Sequence, residues 1–220
     1  MRIAITKPLF AWDCLDDSPN LKTIRQFLRS VPDAKLLKSL RQWRRRGRDD
    51  YGVHVLWGVC LLTPLLRHPS TEATLAELRR NPALRRLIGI ESEYQVPKKW
   101  NMSRFQEVLG RRPHLSLLHE IFDCMVKQLG EEVGDLGEHT AGDATGLRAR
   151  RPRSKTRNVN SELAQPTGGR KEYTDESGEV VKIVEWFGYK LHLLVDTRHE
   201  VSLCLLYTSP SPRDLSTSRM

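Results

Sequence analysis

Asp143 is the residue whose type and surroundings first suggest chemistry. It lies between small residues in "EHTAGDATGLRARRPRS", and a dense basic run follows it at once. That run has no acid within it and consists of Arg148, Arg150, Arg151, Arg153, Lys155 and Arg157. An Asp in this setting is a candidate metal ligand, because hard cations prefer oxygen donors. The pattern is equally typical of a turn or strand-end Asp beside a solvated arginine patch, so both interpretations are open at this point.

Other metal and redox motifs are missing from the sequence. The four cysteines lie far apart and form no C-x-x-C pair: Cys14, Cys60, Cys124 and Cys204. Neither a zinc site nor a disulfide framework is therefore predicted, and a reducing compartment fits. His114 and His119 do not have the i, i+4 spacing that places two ligands on one helix face. Glu120 follows His119, but position 123 is Asp, so there is no H-E-x-x-H zinc motif.

The charge of the chain predicts a polyanionic partner. The formal net charge is +9 over 220 residues, with 39% apolar and 29% charged residues. Nucleic acid is the first candidate and an acidic membrane surface the second, while many basic proteins bind neither. The length allows one large domain or two small ones, with a substantial core.

Membrane insertion is not expected. The longest apolar run, "VLWGVCLLTPLL", is too short to span a bilayer and contains Pro64, so a buried helix is predicted there. The N-terminus meets Asp13 before any long apolar stretch and is a poor signal peptide. We expect a cytoplasmic protein without a membrane partner.

The first half of the chain, from about residue 21 to 130, has helical periodicity. Ser70 is predicted to cap one helix, and Asn81 with Pro82 to end that helix and begin another. Asn101 or Ser103 is predicted to cap a later short helix. Two short basic helices in this region are compatible with a helix-turn-helix DNA reader or with ordinary surface helices. The basic residues considered there are Arg85, Arg86, Lys98, Lys99 and Arg104. "PHLSLLHEIFDCMVKQLG" predicts an amphipathic core helix.

The second half changes character after Gly130. A weak alternation around Asp143 suggests a strand, and residues 148–178 are polar enough to predict a long loop or partly disordered insertion. "VVKIVEWFGYKLHLLVD" predicts a strand, "DTRHE" a turn, and Val201 the start of a return strand. Asp196 is interpreted as a turn residue, and Asp175 and Glu176 as solvated charges.

The C-terminal residues 204–220 resemble something other than a natural protein. "CLLYTSPSPRD" is similar to the translation, in one frame, of a common sequencing-library adapter. We therefore expect the natural sequence to end near Leu203 and the tail to add nothing to the hairpin. The alternative is a natural Ser- and Pro-rich tail.

Three blocks of the chain resemble insertion-sequence transposases of the DDE superfamily. They are "LRHPSTEATLAELRRNPALRRLIGI" with "NMSRFQEVLG", then "GDATGL", and then "GYKLHLLVDTRHEVSL", which is the most specific. "GDATGL" is similar to the block of the first catalytic Asp, although Ala144 stands where Gly is more usual. Together the blocks cover roughly residues 50–203.

The resemblance implies an RNase H-like core whose first three strands form an antiparallel meander. It implies that Asp143 is a catalytic residue and metal ligand, the first of three acids that hold two Mg²⁺ or Mn²⁺ ions. The other two acids are expected further along than this chain extends. The basic run from Arg148 to Arg157, together with Lys98, Lys99 and Arg104, is expected to contact DNA phosphates.

The prediction as a whole is an α+β chain with three parts. Residues 1–130 form a helical domain, 131–203 the start of a catalytic domain with its insertion at 148–178, and 204–220 an adapter-derived tail. The expected function is a prokaryotic, nucleoid-associated transposase that binds transposon ends and target DNA and is a homo-oligomer when complete. This chain is expected to be inactive, since one acid cannot hold two ions. The alternatives are a non-catalytic DNA-binding protein or repressor, and an RNase H-like nuclease.

Overall fold

A computed structural model describes residues 19–44, 50–149, 166–208 and 218–219. Helices come first along the chain and strands follow, so the predicted α+β class is confirmed. The chain divides into two compact units, Met1–Met125 and Val126–Met220, which are described separately below.

Seven α-helices and one 3₁₀ turn occur in the described residues. The α-helices are α1 (Pro19–Ser30), α2 (Ala34–Arg44), α3 (Val53–Leu65), α4 (Thr71–Arg80), α5 (Pro82–Leu87), α6 (Lys99–Leu109) and α7 (His114–Glu132). The 3₁₀ turn spans Glu93–Gln95. The helical prediction for residues 21–130 is confirmed across these elements.

Helix α3 is the centre of the core of the first unit. Its sequence is apolar on all sides, which is typical of a helix that is surrounded by protein. Val59 and Leu62 are fully buried, and a Cβ on Gly58 would lie 2.6 Å from the side chain of Ile88, so the small residue permits close packing. The fully buried partners on other helices include Leu36, Leu40, Leu75, Leu78 and Met102. Among the described residues, no helix combines the length and the apolar character needed to cross a bilayer.

Two of the predicted helix caps are confirmed and one is wrong. The Ser70 hydroxyl accepts a hydrogen bond from the Ala73 N–H, and the Asn81 side chain accepts from the Ala83 N–H. Helix α6 instead begins at Lys99, so Asn101 lies inside its first turn. From there Asn101 Oδ1 accepts a hydrogen bond from the backbone N–H of Lys98 at 3.1 Å. This contact runs from the third helical residue back to the residue before the helix, so a search for N-cap residues does not predict it.

The region considered as a helix-turn-helix has a different arrangement. Helices α5 and α6 are separated by residues 88–98, which include the 3₁₀ turn, whereas the motif needs a turn of roughly three or four residues. Arg85 has a structural role, because its guanidinium donates to the carbonyls of Leu78 and Arg79 at the end of α4. These findings remove the geometric basis for the motif.

The second unit contains one sheet around a long central strand. Its strands are β1 (Thr140–Arg148), β2 (Thr167–Thr174), β3 (Val180–Asp196), β4 (Val201–Thr208) and β5 (Ser218–Arg219). The carboxyl-terminal part of β3 pairs antiparallel with β1 on one edge and with β4 on the other, so β3 lies between two antiparallel neighbours. The strand, turn and return strand predicted from residue 180 onward are confirmed.

The prediction of a loop throughout residues 148–178 is wrong for part of that segment. Strand β2 pairs antiparallel with the first half of β3. Its sequence, "TGGRKEYT", has glycines and charged residues that disfavour strands, so residue propensities do not predict a strand there. Tertiary contacts stabilise it: the Trp186 indole lies where a Cβ on Gly169 would be, and the Arg170 guanidinium lies 3.9 Å from the Glu185 carboxylate of β3. Residues 150–165 lie outside the described part of the chain.

The expectation that residues 204–220 add nothing to the hairpin is wrong for residues 204–208. Strand β4 continues to Thr208, with Leu205 opposite Leu193 and Tyr207 opposite Leu191. The physical reason is that "LCLLYT" is rich in apolar and aromatic side chains that suit a strand beside β3. Residues 218 and 219 form the short β5, which pairs with β2.

The packing of α3 predicts a large effect of Leu62→Ala. Leu62 is fully buried, so the substitution should lower the free energy of unfolding of the helical unit by about 2–5 kcal/mol. Tyr94→Ala is the control within the same unit, since Tyr94 is 88% exposed and its loss should change stability by roughly 0.5 kcal/mol or less. Denaturant titration followed by circular dichroism measures both; equal effects would contradict the assigned core.

Candidate functional site

Asp143 lies in the middle of β1, directly opposite Leu193 of β3. Cross-strand partners project to the same face of a sheet, so the carboxylate shares its face with Leu191, Leu193 and Val195. Asp143 is exposed, and its Oδ1 accepts a hydrogen bond from the Ala144 N–H at 2.6 Å. The residue is therefore an accessible carboxylate on a paired strand rather than a turn residue.

The carboxylate of Asp196 connects the residues just before β1 to the turn of the β3–β4 hairpin. Asp196 is fully buried at the end of β3 and accepts three backbone N–H groups: Gly137 at 2.6 Å, His199 at 2.8 Å and Arg198 at 2.9 Å. These hydrogen bonds, led by that from Gly137, hold the pKa of Asp196 below the ordinary 3.8. Gly137 has φ +92°, a backbone conformation that favours glycine. Asp196 is thus a turn residue, as predicted, and it also accepts a hydrogen bond from Gly137, which is distant in the sequence.

A second acid reinforces this connection. Asp135 accepts from His199 Nε2 at 3.0 Å and from the guanidinium of Arg198 at the hairpin turn. The hydrogen bond from His199, followed by the positive charge of Arg198, lowers the pKa of Asp135 despite partial desolvation. The Thr197 N–H also donates to the His139 carbonyl at 2.8 Å. Asp135 and Asp196 therefore act together on the segment just before β1. We call them the hairpin clamp.

The acids in the described residues do not fit a two-ion metal centre. Within those residues there is no group of three or more His, Cys, Asp or Glu side chains arranged to hold a metal ion. Asp196 is occupied by three N–H donors, and Asp175 accepts from Ser177 Oγ and the Glu179 N–H in the β2–β3 turn. Asp175 is therefore a turn residue with a lowered pKa, caused first by the Ser177 hydrogen bond, and not merely a solvated charge. Of Asp143, Asp175 and Asp196, Asp143 is the one whose carboxylate is not used by a turn.

The basic run after β1 is only partly described. Arg148 ends β1 and is exposed, and the next residue continues the sheet with a hydrogen bond from the Ala149 N–H to the Phe187 carbonyl. The remaining predicted DNA contacts of this run lie outside the described residues: Arg150, Arg151, Arg153, Lys155 and Arg157. Their expected role stays a prediction.

The predicted basic residues of α6 lie on the surface of the first unit. Lys98 is exposed and immediately precedes the helix. Lys99 pairs with Glu72 at 2.6 Å, and the Arg104 guanidinium lies 5.5 Å from the Trp100 ring centroid. An exposed ion pair contributes about 0–1 kcal/mol, so Lys99 can exchange Glu72 for a phosphate at little cost.

The structure adds an arginine cluster that the sequence analysis missed. Arg25 and Arg29 of α1 meet Arg86 of α5 around a cavity of about 350 Å³, together with Leu28, Ala83 and Leu87. The described residues that line this cavity include three arginines and no acid, so that part of its wall is basic. The i, i+4 spacing of Arg25 and Arg29 is visible in the sequence, but only the packing of α1 on α5 brings Arg86 to them.

One comparison with known proteins found a relationship. Residues 13–108, under half of the chain, match a protein-family model described as a transposase domain (DUF772). No curated protein and no solved structure matches the chain. The match supports a transposase-type function, in an enzyme-type family that generally binds DNA. It includes the arginine cluster and the basic residues of α6, and it ends before Asp143.

The hairpin clamp predicts a specific dependence of stability on pH. Because folding lowers the pKa of Asp196, its contribution to stability is complete above the ordinary carboxyl pKa of 3.8 and is lost as pH falls through the folded value. Asp196→Asn should therefore destabilise the sheet at neutral pH and make stability less sensitive to acidification. Denaturant midpoints at neutral pH and near pH 3, followed by the backbone NMR resonances of β3, measure this.

Asp143→Asn is the matched control, because it removes the same charge from an exposed side chain on the same sheet. It should leave both the midpoint and its pH dependence close to those of the wild type. An unchanged pH dependence in Asp196→Asn would contradict the clamp.

Proposed function

We propose that this chain is part of a DNA transposase whose helical unit binds DNA. The observation that carries the proposal is the match of residues 13–108 to a transposase domain. Supporting it are the net charge of +9 and the arginine cluster, which places Arg25, Arg29 and Arg86 around one cavity. Guanidinium groups neutralise phosphates and release counterions, which is the main sequence-independent contribution to DNA binding. Transposon ends and target DNA are the proposed partners, with a homo-oligomer as the complete enzyme.

The proposed role of the second unit is to present Asp143. Its carboxylate is exposed on a strand, held by sheet pairing and by the clamp before β1, as a metal ligand needs to be. Mg²⁺ or Mn²⁺ is the metal we propose for the complete enzyme, within an RNase H-like core. Because the described residues contain no group of three acids or other ligands arranged around a metal ion, we assign DNA binding but not cleavage to this chain by itself.

A non-catalytic DNA-binding protein is the second candidate. It is favoured by one observation: the matched residues 13–108 contain the arginine cluster but not the only carboxylate that we assign to metal binding. The two proposals agree on the helical unit and differ on the role of Asp143.

Duplex DNA binding should depend steeply on salt. Replacing Arg25 and Arg29 by Gln should weaken binding to any duplex sequence and reduce the slope of log affinity against log salt by about one per lost phosphate contact. Fluorescence anisotropy over a salt series measures both quantities.

The control is the double substitution Lys35→Gln and Lys38→Gln. It changes the net charge by the same amount at exposed positions of α2 that do not line the arginine cluster. A wild-type affinity independent of salt, or an equal loss of slope in the control, would contradict phosphate contacts at the cluster.

Incubation of this chain with duplex DNA and Mg²⁺ should produce no cleavage. Asp143→Asn should bind duplex DNA as tightly as the wild type, because the arginine cluster lies in the other unit. Gel analysis of end-labelled DNA tests the first statement and anisotropy the second. Metal-dependent cleavage that Asp143→Asn abolishes would refute the assignment of binding without cleavage.

A further inference from the structure

A second cavity in the helical unit has a different chemistry from the arginine cluster. It has a volume of about 370 Å³ and lies among α2, α3 and α6. We call it the aromatic cleft and define it by Trp43, Arg44, Tyr51, Trp100, Arg104 and Phe105. Its volume falls at the small end of the roughly 300–1,000 Å³ typical of small-ligand sites. It can therefore hold a group the size of a nucleobase but not a DNA duplex.

The two tryptophans of the cleft leave large ring surfaces open to solvent. Trp43 is 57% exposed and Trp100 is 53% exposed, whereas Trp57 in the adjacent helix α3 is 8% exposed. Exposed aromatic surface that lines a cavity is typical of a binding site. Base stacking on aromatic rings is the usual way in which proteins hold unpaired nucleotides, and it accepts any base.

Neighbouring side chains hold these rings in place. The ring of the buried His114 meets Trp43 edge-on, with centroids 6.3 Å apart and planes at 87°. On the other side, Arg104 lies over the Trp100 ring, with its guanidinium carbon 5.5 Å from the centroid. Ordering the rings before a ligand arrives lowers the entropy lost on binding.

The charges around the cleft suit a phosphate chain. Arg44 and Arg104 both line it, and Arg44 donates a hydrogen bond to the Tyr51 carbonyl, which fixes its guanidinium at the wall. Among the described residues that line the cleft, Asp50 is the one acid and accompanies these two arginines. Aromatic faces beside guanidinium groups match a base together with its flanking phosphates.

We propose that the aromatic cleft binds an unpaired base of a DNA strand, with the base against the rings of both Trp43 and Trp100 and its phosphates near Arg44 and Arg104. This inference rests on the proposed function, in which the helical unit binds DNA. A base within a duplex has both faces covered by its neighbours, so the site takes a base only from a single-stranded or unpaired segment. The cleft thus complements the arginine cluster, whose proposed contacts with phosphates do not depend on whether the DNA bases are paired.

The test compares single-stranded oligothymidylate with an abasic oligomer of the same length, bound by the full chain. The wild type should bind the base-containing strand more tightly. Trp43→Ala and Trp100→Ala should each weaken that binding by about 5- to 150-fold, the range for one lost base–aromatic stack, and leave abasic binding unchanged. Trp100→Phe retains an aromatic face and should restore most of the affinity.

Tyr94→Ala is the matched control, because Tyr94 is 88% exposed and lies outside the cleft. Equal affinity of the wild type for the two oligomers, or an equal loss in Tyr94→Ala and Trp100→Ala, would overturn the proposal. The affinity of the same proteins for duplex DNA distinguishes a failure of the cleft assignment from a failure of the proposed function. If duplex binding is intact, only the cleft assignment fails, whereas loss of all DNA binding by the wild type would overturn the proposed function too.

Discussion

The fully buried carboxylate of Asp196 is the group on which the sheet depends. It accepts backbone N–H groups from the hairpin turn after it and from Gly137, which precedes it by about sixty residues in the chain. Charge-assisted bonds of this kind are stronger than neutral ones. They fix where β1 begins relative to β3, and Asp135 adds bonds from the same turn. Since side chains alternate along a strand, this starting point decides which face Asp143 occupies.

The helical unit follows another constraint. Because α3 is apolar on all sides, the other helices must surround it, and their polar faces turn outward. Arginines from α1 and α5 meet in this way, as do aromatic residues from α2 and α6. The two cavities are consequences of packing around one helix. Their chemistries complement each other, since one suits the DNA backbone and the other suits an unpaired base.

Local signals predicted much of this fold from the sequence. The apolar run of α3, the cap at Ser70 and the period-two pattern of β3 each specify their element without help from distant residues. Strand β2 was missed because its glycines and charges are stabilised by Trp186, and the strand nature of residues 204–208 because β3 supplies their hydrogen-bond partners. The metal-binding role of Asp143 was predicted by resemblance and stays a prediction. Tertiary packing, which no local pattern contains, produces the remaining features. They are the Asp196–Gly137 hydrogen bond, the position of Arg86 at the cavity of Arg25 and Arg29, and the position of Trp43 and Trp100 at one cleft.

The register of β1 on β3 tests the central claim most directly. Backbone NOEs between strands in the wild-type protein report which residues face each other. The account predicts that Asp143 faces Leu193 and that Thr140 faces Asp196. NOEs that place Asp143 opposite His192 or Leu194 would show a register shifted by one residue and would move the carboxylate to the other face of the sheet. That result would contradict the role assigned to the hairpin clamp.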